Sequence, residues 1–244
     1  MTRRSAALSA ARISPDRLLG AVALGFWALL FVWLLVTGRT ALYLSSRTAW
    51  VVPVGAVILC FALAGRLVSL RTLRPEPITA RAAFGTVLIV LPVVSILALP
   101  PAALGSFAVA RRASLMGAGA FGSSSDAIAR GPVTLFDIAG AVRSRDGMRA
   151  LAQRAGTPVT FVGFVTRSRE MPADEFMLTR FLISCCAADA LSIQVRVVDA
   201  PPGRLSPDDW IRVRGKIFPV GREVIVQASD VTRVPRPERP YLNA

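Results

Sequence analysis

The sequence predicts a membrane-embedded α-helical N-terminal part followed by a mainly β C-terminal domain, an OB-fold-like five-stranded barrel with a preceding helix. Three observations carry that expectation: long uncharged runs confined to the first 104 residues, a change to period-two alternation after residue 158, and five short β-prone segments bounded by turn residues.

The apolar runs come first. Leu18–Val36 (LLGAVALGFWALLFVWLLV), Thr48–Gly65 (TAWVVPVGAVILCFALAG) and Ala82–Leu104 (AAFGTVLIVLPVVSILALPPAAL) contain no charged residue. A helix of roughly 20 residues crosses a 30 Å hydrocarbon core, so each run is read as a span. The first is longer than a signal-peptide core and ends in VTGRT, without a small-x-small cleavage pattern. Pro92, Pro100 and Pro101 interrupt the third run, but proline is tolerated in spans. Trp50 is placed as an interface anchor, and Cys60 as apolar filler within the second run.

Arginine placement sets the orientation. Arg3, Arg4, Arg12 and Arg17 precede the first span, and Arg66, Arg71, Arg74 and Arg81 flank the second connection. Only Arg39 and Arg47 lie in the first connection, and Arg111 and Arg112 follow the third span. The richer side is cytoplasmic. The expected organisation is therefore a cytoplasmic tail (1–17), a three-helix transmembrane region (18–104), a linker (105–132) and an extracytoplasmic OB-like domain (133–244), in a multi-pass protein of the cell membrane. Gly, Ser and Ala dominate the linker.

Thr134–Arg154 has helical spacing, with a break expected at Gly147. The five strands are Val159–Thr166, Phe176–Ser184, Leu191–Val198, Trp210–Ile217 and Glu223–Val231, with SPDDW supplying one helical turn before the fourth. Gly163 and Gly215 fall in mid-strand, where a small barrel bends or brings backbones together. Trp210 is assigned to the barrel core. Arg180, inside a β run, is either solvent-facing or a paired functional charge, and Tyr241-Leu242 is expected to dock back onto the domain.

The chain has 29 basic and 15 acidic side chains and no histidine. Lack of histidine excludes Ser-His-Asp and Cys-His nucleophile arrangements and imidazole-bound zinc. No Walker loop or GxGxxG is present, so the reading is non-enzymatic. The basic residues are scattered and assigned to an outer domain, which argues against nucleic acid and for anionic membrane lipid as a partner. The remaining chemistry lies in RFLISCCAADA. Cys185, Cys186 and Asp189 can contribute three ligands to a soft or divalent metal ion. A vicinal disulfide in an oxidising exterior and plain packing of two small residues stand as the other readings.

RFLISCCAADA, DDWIRVRGKI and the final RPYLNA together resemble the YcgQ-like family of bacterial membrane proteins. The signature falls on Arg180, Phe181, Ile183, Cys185, Cys186, Ala188, Asp189 and Ala190, the later motif on Trp210 and Gly215, and the terminal pair on Pro240 and Tyr241. Leu191 replaces the proline that often follows the first block. The resemblance implies an accessory subunit of a multi-pass permease whose solute is unassigned, without catalysis, and with a metal ion as one candidate solute. Three helices are too few for a transport path built from repeats, which agrees with a partner. The alternatives are an extracytoplasmic thiol-redox or metal sensor using the vicinal cysteines, and a domain that stabilises the permease through surface contacts.

Overall fold

The computed structural model describes residues 12–72, 77–99, 103–111, 128, 131–142, 144–168, 170–200, 205–221 and 223–243. Most of the expected linker, the first eleven residues and Arg74 lie outside them. The chain divides into two compact units, one of Met1–Thr40 with Thr48–Ala102, the other of Ala41–Arg47 with Ala103–Ala244.

In the first unit, three helices are long and apolar enough to cross a membrane: α1 (Pro15–Val36), α2 (Val51–Val68) and α3 (Ala80–Ala98). Proline at the first position and Asp16 in the first turn suit the start of α1. The Thr79 side chain caps α3, accepting from Ala82 N at 3.2 Å. Leu99, the residue before Pro100, takes an extended conformation with ψ 139°, so α3 stops short of the predicted Leu104. α1 packs on both α2 and α3. Trp27 Nε1 donates to Ile89 O at 3.2 Å, and Arg17 Nη1 donates to Ser69 O at 2.6 Å. Arg12–Ile13 and Arg71–Thr72 form a short antiparallel ladder that joins the segment before α1 to the segment after α2. Phe61, Phe84 and Val87 are among the large apolar side chains left exposed on α2 and α3.

In the second unit, α4 (Leu135–Ala141) opens with a capping box in which Thr134 and Asp137 satisfy each other's backbone N–H groups. α5 (Arg145–Ala152) is capped by Ser144, whose hydroxyl accepts from Gly147 N at 2.8 Å. The helical break therefore lies at Val142–Ser144 and not at Gly147: a strong N-cap restarts the helix three residues earlier. Leu135, Ile138, Ala141 and Leu151 are buried in the main core.

The barrel follows, with β1 (Pro158–Thr166), β2 (Phe176–Ile183), β3 (Leu191–Val198), β4 (Trp210–Val220) and β5 (Glu223–Arg233). The ladders β1–β2, β2–β3, β1–β4 and β4–β5 are antiparallel, and β3–β5 is parallel. The sheet thus closes on itself in the order β1-β2-β3-β5-β4-β1, the expected OB-like barrel. Period-two burial drives closure: Ile211, Val213 and Ile217 of β4 are wholly inside, with Leu178, Val195 and Val226 facing them in the same core. Gly163 and Gly215 are required by close backbone approach. A Cβ on Gly163 would stand 2.6 Å from Thr179 O, and one on Gly215 would meet Gln227 O at the β4–β5 bulge.

SPDDW forms a turn and not a helical one. Asp209 N donates to Ser206 O at 3.1 Å, and Asp208 at φ 70° is left-handed, which ends any helical continuation. A second apolar cluster joins Phe164, Phe181, Ile183, Ala190 and Tyr241, with Trp210 packed against it. Trp210 accordingly belongs to this satellite cluster and is only half-buried, not part of the barrel core. The chain ends on β6 (Leu242–Asn243), parallel to Leu182–Ile183 of β2.

Candidate functional site

β2 ends at Ile183, and Ser184–Cys186 bends into a single 3-10 turn, Ala187–Asp189. On a strand, neighbouring side chains point to opposite faces. The bend removes that restriction and brings Cys185 Sγ and Cys186 Sγ to 3.6 Å.

Asp189 organises the turn. Its carboxylate accepts from Ser184 N at 3.0 Å, Cys185 N at 2.7 Å and Cys186 N at 3.5 Å. Burial alone would raise its pKa, but the Cys185 side chain and the three backbone N–H groups outweigh burial and hold it below the usual carboxylate range. The effect on Cys185 is opposite. Its thiol hydrogen-bonds Asp189 and then Cys186, and its pKa is pushed up from 9.0 to about 11. Cys185 is exposed and Cys186 half-buried.

A segment remote in sequence completes the turn. Ala41–Arg47 lies between α1 and α2 in the chain yet forms part of the barrel unit. Leu44 pairs with Cys186 in an antiparallel bridge, Ser45 N donates to Cys185 O at 3.1 Å, and Ala187 N donates to Tyr43 O at 2.8 Å. Ser46 N also donates to the Asn243 side chain at 3.1 Å. The cysteine turn is therefore paired on its open side, with its backbone held by both Asp189 and residues 43–45.

Ligand geometry can be tested against these distances. The donor atoms of Cys185, Cys186 and Asp189 all lie within 4.8 Å of one another. Two thiolates on one tetrahedral ion, at about 2.3 Å each, stand about 3.8 Å apart. The observed 3.6 Å fits that edge. Three ligands leave a fourth position open, the arrangement of an exchangeable site and not of a closed structural one.

The other motif residues support the same end of the barrel. The Arg180 guanidinium is half-buried and bonds backbone carbonyls, with no carboxylate partner among the described residues. It donates to Val162 O at 3.2 Å, Pro240 O at 3.2 Å and Arg239 O at 2.9 Å, and lies 5.7 Å from the centre of the Trp210 ring. Burial lowers its pKa from the ordinary value. It clamps the C-terminal segment, a role that a period-two pattern does not reveal. Tyr241 is buried and its hydroxyl accepts from Leu104 N at 3.0 Å. Phe164 stacks on Phe181 at 5.8 Å and tilts against Trp210 at 5.7 Å. Arg180, Trp210 and Tyr241 thus form one packed group, whereas Gly215 lies apart at the bulge. Sequence reasoning missed Tyr43, Leu44 and Ser45 entirely. It also missed the amide bonds of Asp189, although Cys186 and Asp189 have the three-residue spacing of a capping box.

Residues 148–243 match the family model of the DUF1980 C-terminal domain. This DUF1980 match begins inside α5 and runs through all five strands to β6, so it contains every one of these motif residues except the segment 43–45. It is consistent with the YcgQ-like resemblance. No match was found among curated proteins.

Proposed function

We propose that the chain is an accessory subunit of a membrane transport system, anchored by α1–α3, whose barrel contacts the transported solute, a divalent metal ion, or the permease through the Cys185–Cys186–Asp189 turn. The observation that carries this reading is the turn itself: two thiols and a carboxylate converge with one coordination position free. A site that must release its ion needs that opening.

Cys185 must lose its proton both to bind an ion and to attack a disulfide, and its hydrogen bonds to Asp189 and Cys186 oppose that loss. At about 11, little of it is thiolate at neutral pH, so attack on a disulfide is slow. A metal ion displaces the proton on binding. The non-enzymatic reading stands on the same chain composition: no histidine is available as a general base.

Two sets of contacts support a topology with the N-terminus inside and the barrel outside. The Arg12–Ile13 ladder with Arg71–Thr72 joins the two arginine-rich ends of the helical unit. Residues 41–47 and everything from residue 103 belong to the barrel unit. Each pair of tied segments is separated by two candidate spans, so three full crossings satisfy both ties, and the arginine excess then assigns the sides.

The test is affinity purification of the full chain from its native membrane, with cobalt titration of the purified protein. Recovery of a multi-pass membrane protein, and a sulfur-to-cobalt charge-transfer band lost in C185S/C186S, are the expected results. Absence of any multi-pass partner would overturn the accessory role; absence of the band would overturn the ion site. Labelling of Cys185 by an impermeant thiol reagent in intact cells checks the orientation, and protection from it would reverse the assignment.

A further inference from the structure

β4 places Arg212, Arg214 and Lys216 at alternate positions, while Val213, Gly215 and Ile217 between and beyond them are buried. The three cations therefore share the outward face of the barrel wall. A groove of about 970 Å³ opens on this side, lined by Arg214, Lys216, Thr160, Arg154 and Arg180, among others. No acidic residue lines it among the described residues.

The charges are spaced along β1. Lys216 stands opposite Pro158 and Arg214 opposite Thr160, and Arg180 Nη1 reaches the carbonyl of Val162. Successive outward positions on a strand are roughly 6.6 Å apart, so the cations form a graded row and not a single point charge. Arg180 donates to the carbonyls of Val162, Arg239 and Pro240. A guanidinium bonded to neutral carbonyls keeps its full charge. Arg214 and Lys216 form no ion pair among the described residues. Asp230 stands opposite Arg214 in the β4–β5 ladder but does not line the groove.

Arg180, Arg214 and Lys216 face a groove with no carboxylate in its lining among the described residues, and an anion there relieves their mutual repulsion. A phosphate group, with three acceptor oxygens, can satisfy an arginine fork, a lysine and the Thr160 hydroxyl together. We propose that this groove binds a ligand carrying two or more phosphate groups, contacted by Arg214 and Lys216, with Arg180 as a fixed positive charge in its wall. The proposal is independent of the cysteine turn.

The full chain in neutral detergent is titrated calorimetrically with tripolyphosphate, and separately with cardiolipin in mixed micelles against a phosphatidylcholine control. Tripolyphosphate binding assigns the groove to a soluble phosphate compound; binding of cardiolipin alone assigns it to a lipid headgroup. In either case the R214Q/K216Q variant should bind at least about tenfold more weakly, and K216R should retain binding. Both replaced side chains are exposed, and circular dichroism checks that the fold is kept. Failure of both probes, or a double variant within twofold of the parent, would overturn the proposal. So would a single-stranded oligonucleotide that binds and is not displaced by tripolyphosphate.

Discussion

Asp189→Asn isolates the carboxylate that governs the cysteine turn. Its hydrogen bond is the first cause of the rise in Cys185 from 9.0 to about 11. At pH 8, a thiol at about 11 is thiolate in about one molecule in a thousand, and one near 9.0 in about one in ten. The substitution thus raises the thiolate population up to about a hundredfold. Nucleophilicity falls with pKa, with a Brønsted slope near 0.4–0.5, which removes about tenfold of that gain. The expected net effect is alkylation up to about tenfold faster at pH 8, with the pH of half-maximal rate lowered by up to about two units. Site-resolved mass spectrometry after timed iodoacetamide labelling reads Cys185 separately, with Cys60 as internal reference. A rate within twofold of the parent, together with an unmoved pH midpoint, would refute the assignment of Asp189 as the controlling group. The signs for stability are opposite for the two partners. Cys185 favours the folded state as a protonated thiol, an effect lost as pH rises from 9 toward 11. Asp189, held low, favours it as a carboxylate, an effect lost only as pH falls below the ordinary carboxylate range.

Three further outcomes are expected. Arg180→Met removes three charge-assisted bonds; the Arg239 and Pro240 carbonyls regain water, leaving a net loss of about 3 kcal/mol in denaturant titration, with Arg180→Lys intermediate. Gly215→Ala drives a Cβ into the Gln227 backbone and should cost about 2 kcal/mol or more, read as a lowered melting temperature. Tyr241→Phe deletes the acceptor for Leu104 N and should cost about 1 kcal/mol by the same measurement.

The barrel was legible because its physics is local and repetitive. Each strand alternates, and turn residues such as PVGRE mark its ends, so β3 has the predicted limits and the other strands shift by at most three residues. The three helices were legible for the same reason, as uninterrupted apolar length. The helical break was misplaced because Gly147 attracts attention as a breaker, while the deciding interaction is the Ser144 cap. Trp210 was misplaced, and the carbonyl partners of Arg180 were missed, for a related reason: alternation says which face a side chain takes, not whether carbonyls of a distant tail await it. The Tyr43–Ser45 contacts had no signature at all. A three-residue pairing with a partner about 140 residues away leaves no periodicity, and its bonds are backbone bonds that any residue type can make.

That separation also has a consequence for biosynthesis. Residues 43–45 are made long before Cys185–Ala187, and at 5–20 residues per second the ribosome needs roughly 7 to 30 seconds to supply their partners. During that interval α1 and α2 are complete, while the segment between them carries backbone groups committed to a sheet that does not yet exist. The five strands close the barrel by themselves, but the cysteine turn is complete only when it pairs with a loop that left the ribosome before any barrel strand was made.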